Sequence, residues 1–194
     1  MRLIIDNGME YLLSLDKQVF FLINHLPHTG VLDFFAETLS GLGSGGFIFF
    51  LLGLILLIRE EEKDHRFILP FLMIFGIGWA LSEVLLKTTF GRIRPEEVMG
   101  ALIVGTKPDG YSFPSTHTLL AFAGAYVLSW KEPAWRWWLY ILAGLIGLSR
   151  IYLGHHYPID VVAGGIIGVS IGFCVVHLTA ATIPKRSHQR GRKK

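Results

Sequence analysis

The sequence predicts an all-α fold: a polytopic transmembrane helix bundle of five to six spans with an N-terminal amphipathic helix. Three observations carry this expectation. Hydrophobic residues make up 52% of the 194 and charged residues only 17%, against about a quarter charged in soluble domains. Mean hydropathy is +0.49. Several apolar stretches approach the ~20 residues that a bilayer crossing needs. A soluble domain of this length could not surround four or five such helices with polar surface.

The elements follow in chain order. The opening "MRLIIDNGMEYLL" carries acids early and lacks an apolar core with a small-residue cleavage site, so a removable signal peptide is not expected. Residues 9–26 place Leu12, Leu15, Val19, Leu22 and Ile23 along one helical face, with Asp16 and Lys17 mid-segment. That pattern favours an interfacial amphipathic helix, with a further span as the alternative. A short helical piece at 32–39 leads into a span at 41–58, whose Gly41, Gly43, Gly45 and Gly46 allow close helix contact. Further spans are expected at 67–86, 115–130, 135–151 and 159–183, the 115–130 stretch being the shortest. Cys174, the single cysteine, excludes an intrachain disulfide framework and reads as a buried small hydrophobe. The whole chain forms one domain: an N-terminal region 1–40, a membrane core 41–183 and a basic tail 184–194.

Net charge is only +3, but its distribution sets a direction. If the tail "KRSHQRGRKK" is cytoplasmic, "KEPAWR" and "REEEKDHR" share its side, and these three segments hold most of the Lys and Arg, as the positive-inside rule expects. A basic tail could also touch nucleic acid; beside an apolar run it reads as a membrane flank, with no nucleic-acid partner. Trp130, Trp135, Trp137 and Trp138 suit an aromatic belt at that interface. The opposite, extracytoplasmic face then receives three polar stretches: "KTTFGRIRP" (87–95), "YSFPSTHT" (111–118) and "SRIYLGHHYPID" (149–160).

Those stretches bring Lys87, Arg92, Arg94 and Arg150 together with His117, His155 and His156, against the positive-inside bias. Any one cation could merely snorkel to the interface; several converging on the outer face imply an anionic ligand. Guanidinium forks and an ammonium suit phosphate oxygens. Ser115 precedes an apolar run and reads as an N-cap, so the free N–H groups of that helix start would face the anion, with His117 in the first turn. Two histidines beside a phosphate divide the work: one attacks phosphorus and the other protonates the leaving oxygen. Asp160 is placed to hold the attacking imidazole's tautomer. Residue pattern alone leaves open whether His155 or His156 faces the cations. A zinc site is the competing reading, but the cations would repel a metal and no metal-ligand spacing is present; no metal and no cofactor are expected. Glu83, one turn before Lys87, is read as its structural ion-pair partner, and Arg92 as an outer-rim cation. His25, His28, His65, His177 and His188 read as interfacial, loop or tail residues.

The three blocks resemble the type-2 phosphatidic acid phosphatase superfamily, whose signatures are Lys-x6-Arg-Pro, Pro-Ser-Gly-His and Ser-Arg-x5-His-x3-Asp. Here they stand as "KTTFGRIRP", "PSTH" and "SRIYLGHHYPID", in order and correctly spaced, within about 67–183. The resemblance implies a metal-independent phosphatase acting through a phosphohistidine. It implies His156 as nucleophile, Asp160 as its orienting carboxylate and His117 as general acid. It further implies a phosphate cradle of Lys87, Arg94 and Arg150, with Ser115 and the backbone around Thr116. Thr116 departs from the family glycine, which narrows the pocket or adds a donor.

The expected activity is hydrolysis of a lipid phosphate in the cell membrane, with the site extracytoplasmic and the C-terminus cytoplasmic. Undecaprenyl diphosphate is favoured, since the short chain and "GHHYP" resemble bacterial members with that activity. Phosphatidylglycerol phosphate or phosphatidic acid is the runner-up. A lipid-linked phosphotransferase and a non-enzymatic anion transporter are the rivals from other classes. The soluble haloperoxidases of the superfamily share the phosphate pocket, but the membrane spans argue against that activity.

Overall fold

In the computed structural model of the chain, residues 2–59, 67–98 and 100–182 are described. The tail 184–194 with His188, and the segment 60–66 with His65, lie outside them. The described residues are helical and contain no strand. In order they are α1 (Arg2–Asn24), α2 (Gly30–Gly43), α3 (Phe47–Arg59), α4 (Ile68–Trp79), α5 (Lys87–Phe90), α6 (Pro95–Val98), α7 (Thr116–Lys131), α8 (Arg136–Tyr152) and α9 (Pro158–Thr182). A 3-10 turn, Ser44–Gly46, joins α2 to α3, and a π-helical segment, Ala80–Leu86, joins α4 to α5.

Among the described residues, three segments are long and apolar enough to cross a membrane: Gly30–Ile58, Ile68–Glu97 and Pro158–Thr179. The first begins earlier than the expected 41–58, because the piece predicted at 32–39 is its N-terminal half. The helix bends in the middle, where Gly45 (φ 57°) and Gly46 (φ 74°) adopt left-handed backbone that residues with a Cβ avoid. At 16 and 17 residues, α7 and α8 are helices where they were expected. At ~1.5 Å per residue they span about 25 Å each.

Helix α7 is the hub, packed by α9, α8 and α4. Its Leu119, Leu120, Ala121, Ala123, Ala125, Val127 and Leu128 are buried all round, so it need not present a long lipid-facing surface. The α7–α9 contact depends on glycines one turn apart. A Cβ on Gly168 would come within 2.2 Å of the Leu119 carbonyl oxygen, and one on Gly164 within 2.7 Å of that of Ser115. This backbone-to-backbone approach, the small-residue packing of membrane helices, draws the starts of α7 and α9 together.

Helix α1 leaves Leu12, Leu15 and Leu22 exposed and buries Asp16, Phe20 and Asn24. The reason is polar pairing: Asn24 donates to the carbonyls of Tyr152 (2.9 Å) and Leu102 (2.8 Å), and Asp16 has its own partners, described below. Cys174 is exposed, not buried. The face of α9 that carries Ile171, Val175 and Val176 turns inward, which leaves Phe173, Cys174 and Leu178 outward. Trp137 and Trp138 are exposed, as a lipid-interface belt requires.

Candidate active site

The π-helical segment carries Ser82 and Glu83 into the bundle and delivers Lys87 at the start of α5. Lys87 Nζ donates to Glu83 Oε1 at 2.7 Å. The sequence expectation for Glu83 was this pairing, but the carboxylate does more. Its Oε1 also accepts from Thr116 Oγ1 at 2.5 Å, and Thr116 Oγ1 lies 2.7 Å from Ser82 Oγ. The hydroxyl in place of the family glycine thus joins the first residue of α7 to the lysine's ion pair. Thr116→Val should lower stability by about 1–2 kcal/mol, while Thr116→Ser should recover most of it, as read by thermal unfolding in detergent.

After α5 the chain turns at Gly91, in the left-handed region (φ 55°), and sends Arg94 inward. Arg94 is 2% exposed. Its Nε and Nη2 donate to the carbonyls of Gly110 (2.8 Å) and Asp109 (3.0 Å), and Nη1 to that of His155 (2.8 Å). The guanidinium is therefore held by backbone and keeps its charge free of any carboxylate bond among these contacts. Arg150, in the last turn of α8, is also buried; Nη1 bonds Ser40 Oγ, and Nε has no hydrogen-bond partner among the described residues.

Ser115 occupies the N-cap position of α7, as expected, but its hydroxyl makes no capping bond. It accepts from Thr118 Oγ1 (3.0 Å) instead, while the Ser115 amide donates to the Asp160 carbonyl (3.0 Å). The second and third blocks are thereby fastened together through backbone. His117 is half-buried in the first turn of α7, within electrostatic reach of Arg150 and Lys87.

Pro158 opens α9 and Asp160 lies in its first turn, both as expected. His155 and His156 occupy the connector, and their amides donate to the Arg150 carbonyl at 3.0 and 3.2 Å. The two rings differ. His156 Nε2 is 3.4 Å from Arg94 Nη1, and Nδ1 is 3.6 Å from Asp160 Oδ2. Among the described residues neither ring nitrogen of His155 has a hydrogen-bond partner; His156 Nδ1 has no hydrogen bond either, but it faces the Asp160 carboxylate. Burial, then Arg150, Arg94 and Lys87, push His156 well below its ordinary value. Burial, then Arg150 and Arg94, bring His155 down to about 3. Both imidazoles are neutral near pH 7, the form a nucleophile needs.

This has a stability consequence. Each histidine ionises at about 6.5 in the unfolded chain and lower in the native one, so the unfolded state takes up the proton first as pH falls. Stability is fully present above about 6.5 and declines below it by ~1.4 kcal/mol per pH unit per histidine. His155→Gln should make the fall in melting temperature from about pH 7 to about pH 5 shallower by one proton's worth.

Two features escaped the sequence reading. His28 bonds Asp33 (2.9 Å) and stacks on Tyr152, whose hydroxyl also donates to Asp33 (2.6 Å), a structural knot beside the site. Arg92 is no rim cation: it lies between two buried carboxylates, Asp16 and Asp160, at 2.5 Å from each. The visible signal was Asp16 itself, a charge in the middle of an apolar segment.

The arrangement gathers the cations Lys87, Arg94 and Arg150, the imidazoles His117, His155 and His156 and the Asp160 carboxylate, from all three sequence blocks, at one end of the bundle. The PAP2 superfamily model matches residues 67–184, the stretch that contains every one of these groups. The chain belongs to the PAP2 superfamily. The Undecaprenyl-diphosphatase of Sulfolobus acidocaldarius is 33% identical over 138 residues, covering 70% of this chain and 65% of that protein, so the match spans just under two thirds of the relative's length. Undecaprenyl-diphosphatase BcrC of Bacillus subtilis is 27% identical over 160 residues, 82% of this chain and 81% of that one. The crystal structure of Aquifex aeolicus LpxE aligns with a TM-score of 0.69 at 34% identity, covering 84% of this chain and 95% of that one. Together with the three apolar spans, these matches make the chain a membrane protein of the PAP2 phosphatase family.

Proposed function

We propose that this PAP2-family phosphatase hydrolyses a polyprenyl diphosphate, undecaprenyl diphosphate in particular, to the monophosphate through a phosphohistidine at His156. The observation that carries the reading is the two-sided environment of His156: Nδ1 turns to Asp160 while Nε2 points at the Arg94 guanidinium. A phosphoryl group drawn to the cations is thereby presented to the Nε2 lone pair. Two relatives named for undecaprenyl diphosphate support the choice of lipid.

In the first step the Nε2 lone pair forms an N–P bond with the terminal phosphorus, and the bond from that phosphorus to the bridging oxygen breaks. His117 enters this step as the imidazolium, the form that the bound phosphate's negative charge favours, and gives its proton to the departing oxygen, and the lipid monophosphate leaves. Asp160 stabilises the cationic imidazole that results. Lys87, Arg94 and Arg150 neutralise the equatorial oxygens, where charge is spread in the transition state. In the second step His117 takes a proton from water, whose oxygen attacks phosphorus and releases inorganic phosphate and free His156. Cations fill the electrophile's role, so no metal is required; three positive side chains would repel one.

Our reading of the wider architecture is six crossings, α1, α2–α3, α4–α5, α7, α8 and α9 alternating in direction; the bonds Asn24–Tyr152, Ser40–Arg150 and Ser115–Asp160 near the site support it. With the basic segments cytoplasmic, the site opens on the extracytoplasmic side of the cell membrane. Phosphate release from purified lipids in excess EDTA tests the proposal. Undecaprenyl diphosphate should be the best substrate and EDTA without effect. Strong preference for phosphatidic acid or phosphatidylglycerol phosphate would overturn the substrate, and strict metal dependence would overturn the mechanism.

A further inference from the structure

The carboxylate that faces His156 does not stand alone. Asp160 Oδ2 accepts the Tyr157 amide at 2.9 Å, and Oδ1 accepts Arg92 Nη1 at 2.5 Å. The other terminal nitrogen of the same guanidinium, Nη2, bonds Asp16 Oδ2 at 2.5 Å, and Asp16 Oδ1 accepts the Ile159 amide at 2.8 Å. Both carboxylate side chains are fully buried, while Arg92 is a fifth exposed and lies 4.0 Å above the Tyr157 ring. One cation thus serves two acids from three separate elements: α1, the turn after α5, and α9.

We propose that Arg92, itself held by Asp16, keeps Asp160 ionised and oriented toward His156 while the Asp16 charge tempers that effect, a charge clamp that makes the N-terminal helix a working part of the active site. They are positioning residues; neither touches the reacting phosphate. The charge balance is the core of the argument. Two buried acids around one guanidinium leave a net single negative charge, which the imidazolium of the intermediate needs opposite it. Without the guanidinium, two buried carboxylates share a small volume, and like charges so placed favour protonation of one. A protonated Asp160 cannot support the cationic ring. The other charged or titratable groups facing Asp160 are Arg94 from the same turn as Arg92, and His156 and Tyr157 from the connector. Arg94 is committed to backbone carbonyls and the phosphate, so it does not replace Arg92. The clamp also explains why an acid sits in the middle of α1. The Ile159 amide is one of the unpaired donors at the start of α9, so Asp16 anchors that helix as well.

The inference rests on the proposed roles of His156 and Asp160, and its test separates the two. The acid limb of the pH profile of kcat/KM is measured for the parent, Arg92→Gln, Asp16→Asn and the double variant, on one substrate. The substrate's own ionisation is common to all four, so any displacement belongs to the enzyme. Arg92→Gln should move the limb to higher pH by ~1–2 units, the usual effect of an opposite charge at this range. Asp16→Asn keeps the acceptor for Ile159 and removes a like charge, so it should move the limb to lower pH. The double variant should return toward the parent. A merely structural bridge predicts that the double is no better than Arg92→Gln and that the limb stays in place. A limb unmoved in Arg92→Gln, or a double variant whose limb stays where Arg92→Gln puts it, overturns the clamp. If Arg92→Gln does not fold, Asp16→Asn decides: a limb coincident with the parent overturns it. Full activity in His156→Ala would instead sink the phosphohistidine reading; an inert His156→Ala with an unmoved limb sinks the clamp alone.

Discussion

His156→Ala should release no phosphate above background, a loss of about four to six orders of magnitude, as when other enzymes lose a covalent nucleophile. Alanine removes the proposed nucleophile, and the covalent intermediate cannot form without it. His155→Ala should weaken turnover without abolishing it. The adjacent rings make a controlled comparison: both are buried, both are neutral near pH 7, and both lie in the same connector. They differ in that only His156 has Asp160 on one side and the Arg94 guanidinium on the other. If His155→Ala is the inert variant and His156→Ala retains activity, the roles are reversed. The measurement is phosphate release by purified protein in detergent, with melting temperature as the control for folding.

His117→Ala should have the next largest effect, and its size should depend on the leaving group. General acid catalysis contributes about 10²–10⁴-fold, and it matters most when the departing oxygen is strongly basic. A lipid monophosphate expels an alcohol oxygen, which needs its proton in the transition state. A lipid diphosphate expels a phosphate oxygen, which leaves well without one. His117→Ala should therefore lose close to the full factor on phosphatidic acid and clearly less on undecaprenyl diphosphate. The second step, in which His117 activates water, is the same for both lipids and should be slowed equally. Equal losses in a single-turnover measurement of the first step would remove His117 from the general-acid role.

Much of this architecture was legible in the sequence because its signals are local. Helix positions follow from long apolar runs, and Pro158 and Asp160 stand where a proline-initiated helix puts them. The three blocks lie at ends of helices that meet at one end of the bundle. What the sequence concealed depends on contacts between distant segments. Asp16 looked like a reason to keep α1 out of the membrane core; 76 residues further on, Arg92 makes its burial tolerable. The leucines on α1 said nothing of its protein-facing side, because apolar side chains are content against lipid and only the polar ones need protein partners. Cys174 was misplaced for the same reason: in a helix surrounded by lipid, an apolar neighbourhood does not mean burial. The Thr116 hydroxyl could be read as a departure from the family pattern, but its bond to Glu83 required the fold.

The most direct test of the central claim is rapid acid-free quenching of the enzyme with undecaprenyl diphosphate radiolabelled on the terminal phosphate, in excess EDTA. The account predicts a covalently labelled protein whose label is stable to base and labile to acid, maps to the peptide containing His156, and is missing from His156→Ala. Label on a different residue, or turnover at full rate with no labelled protein at any time point, would contradict it.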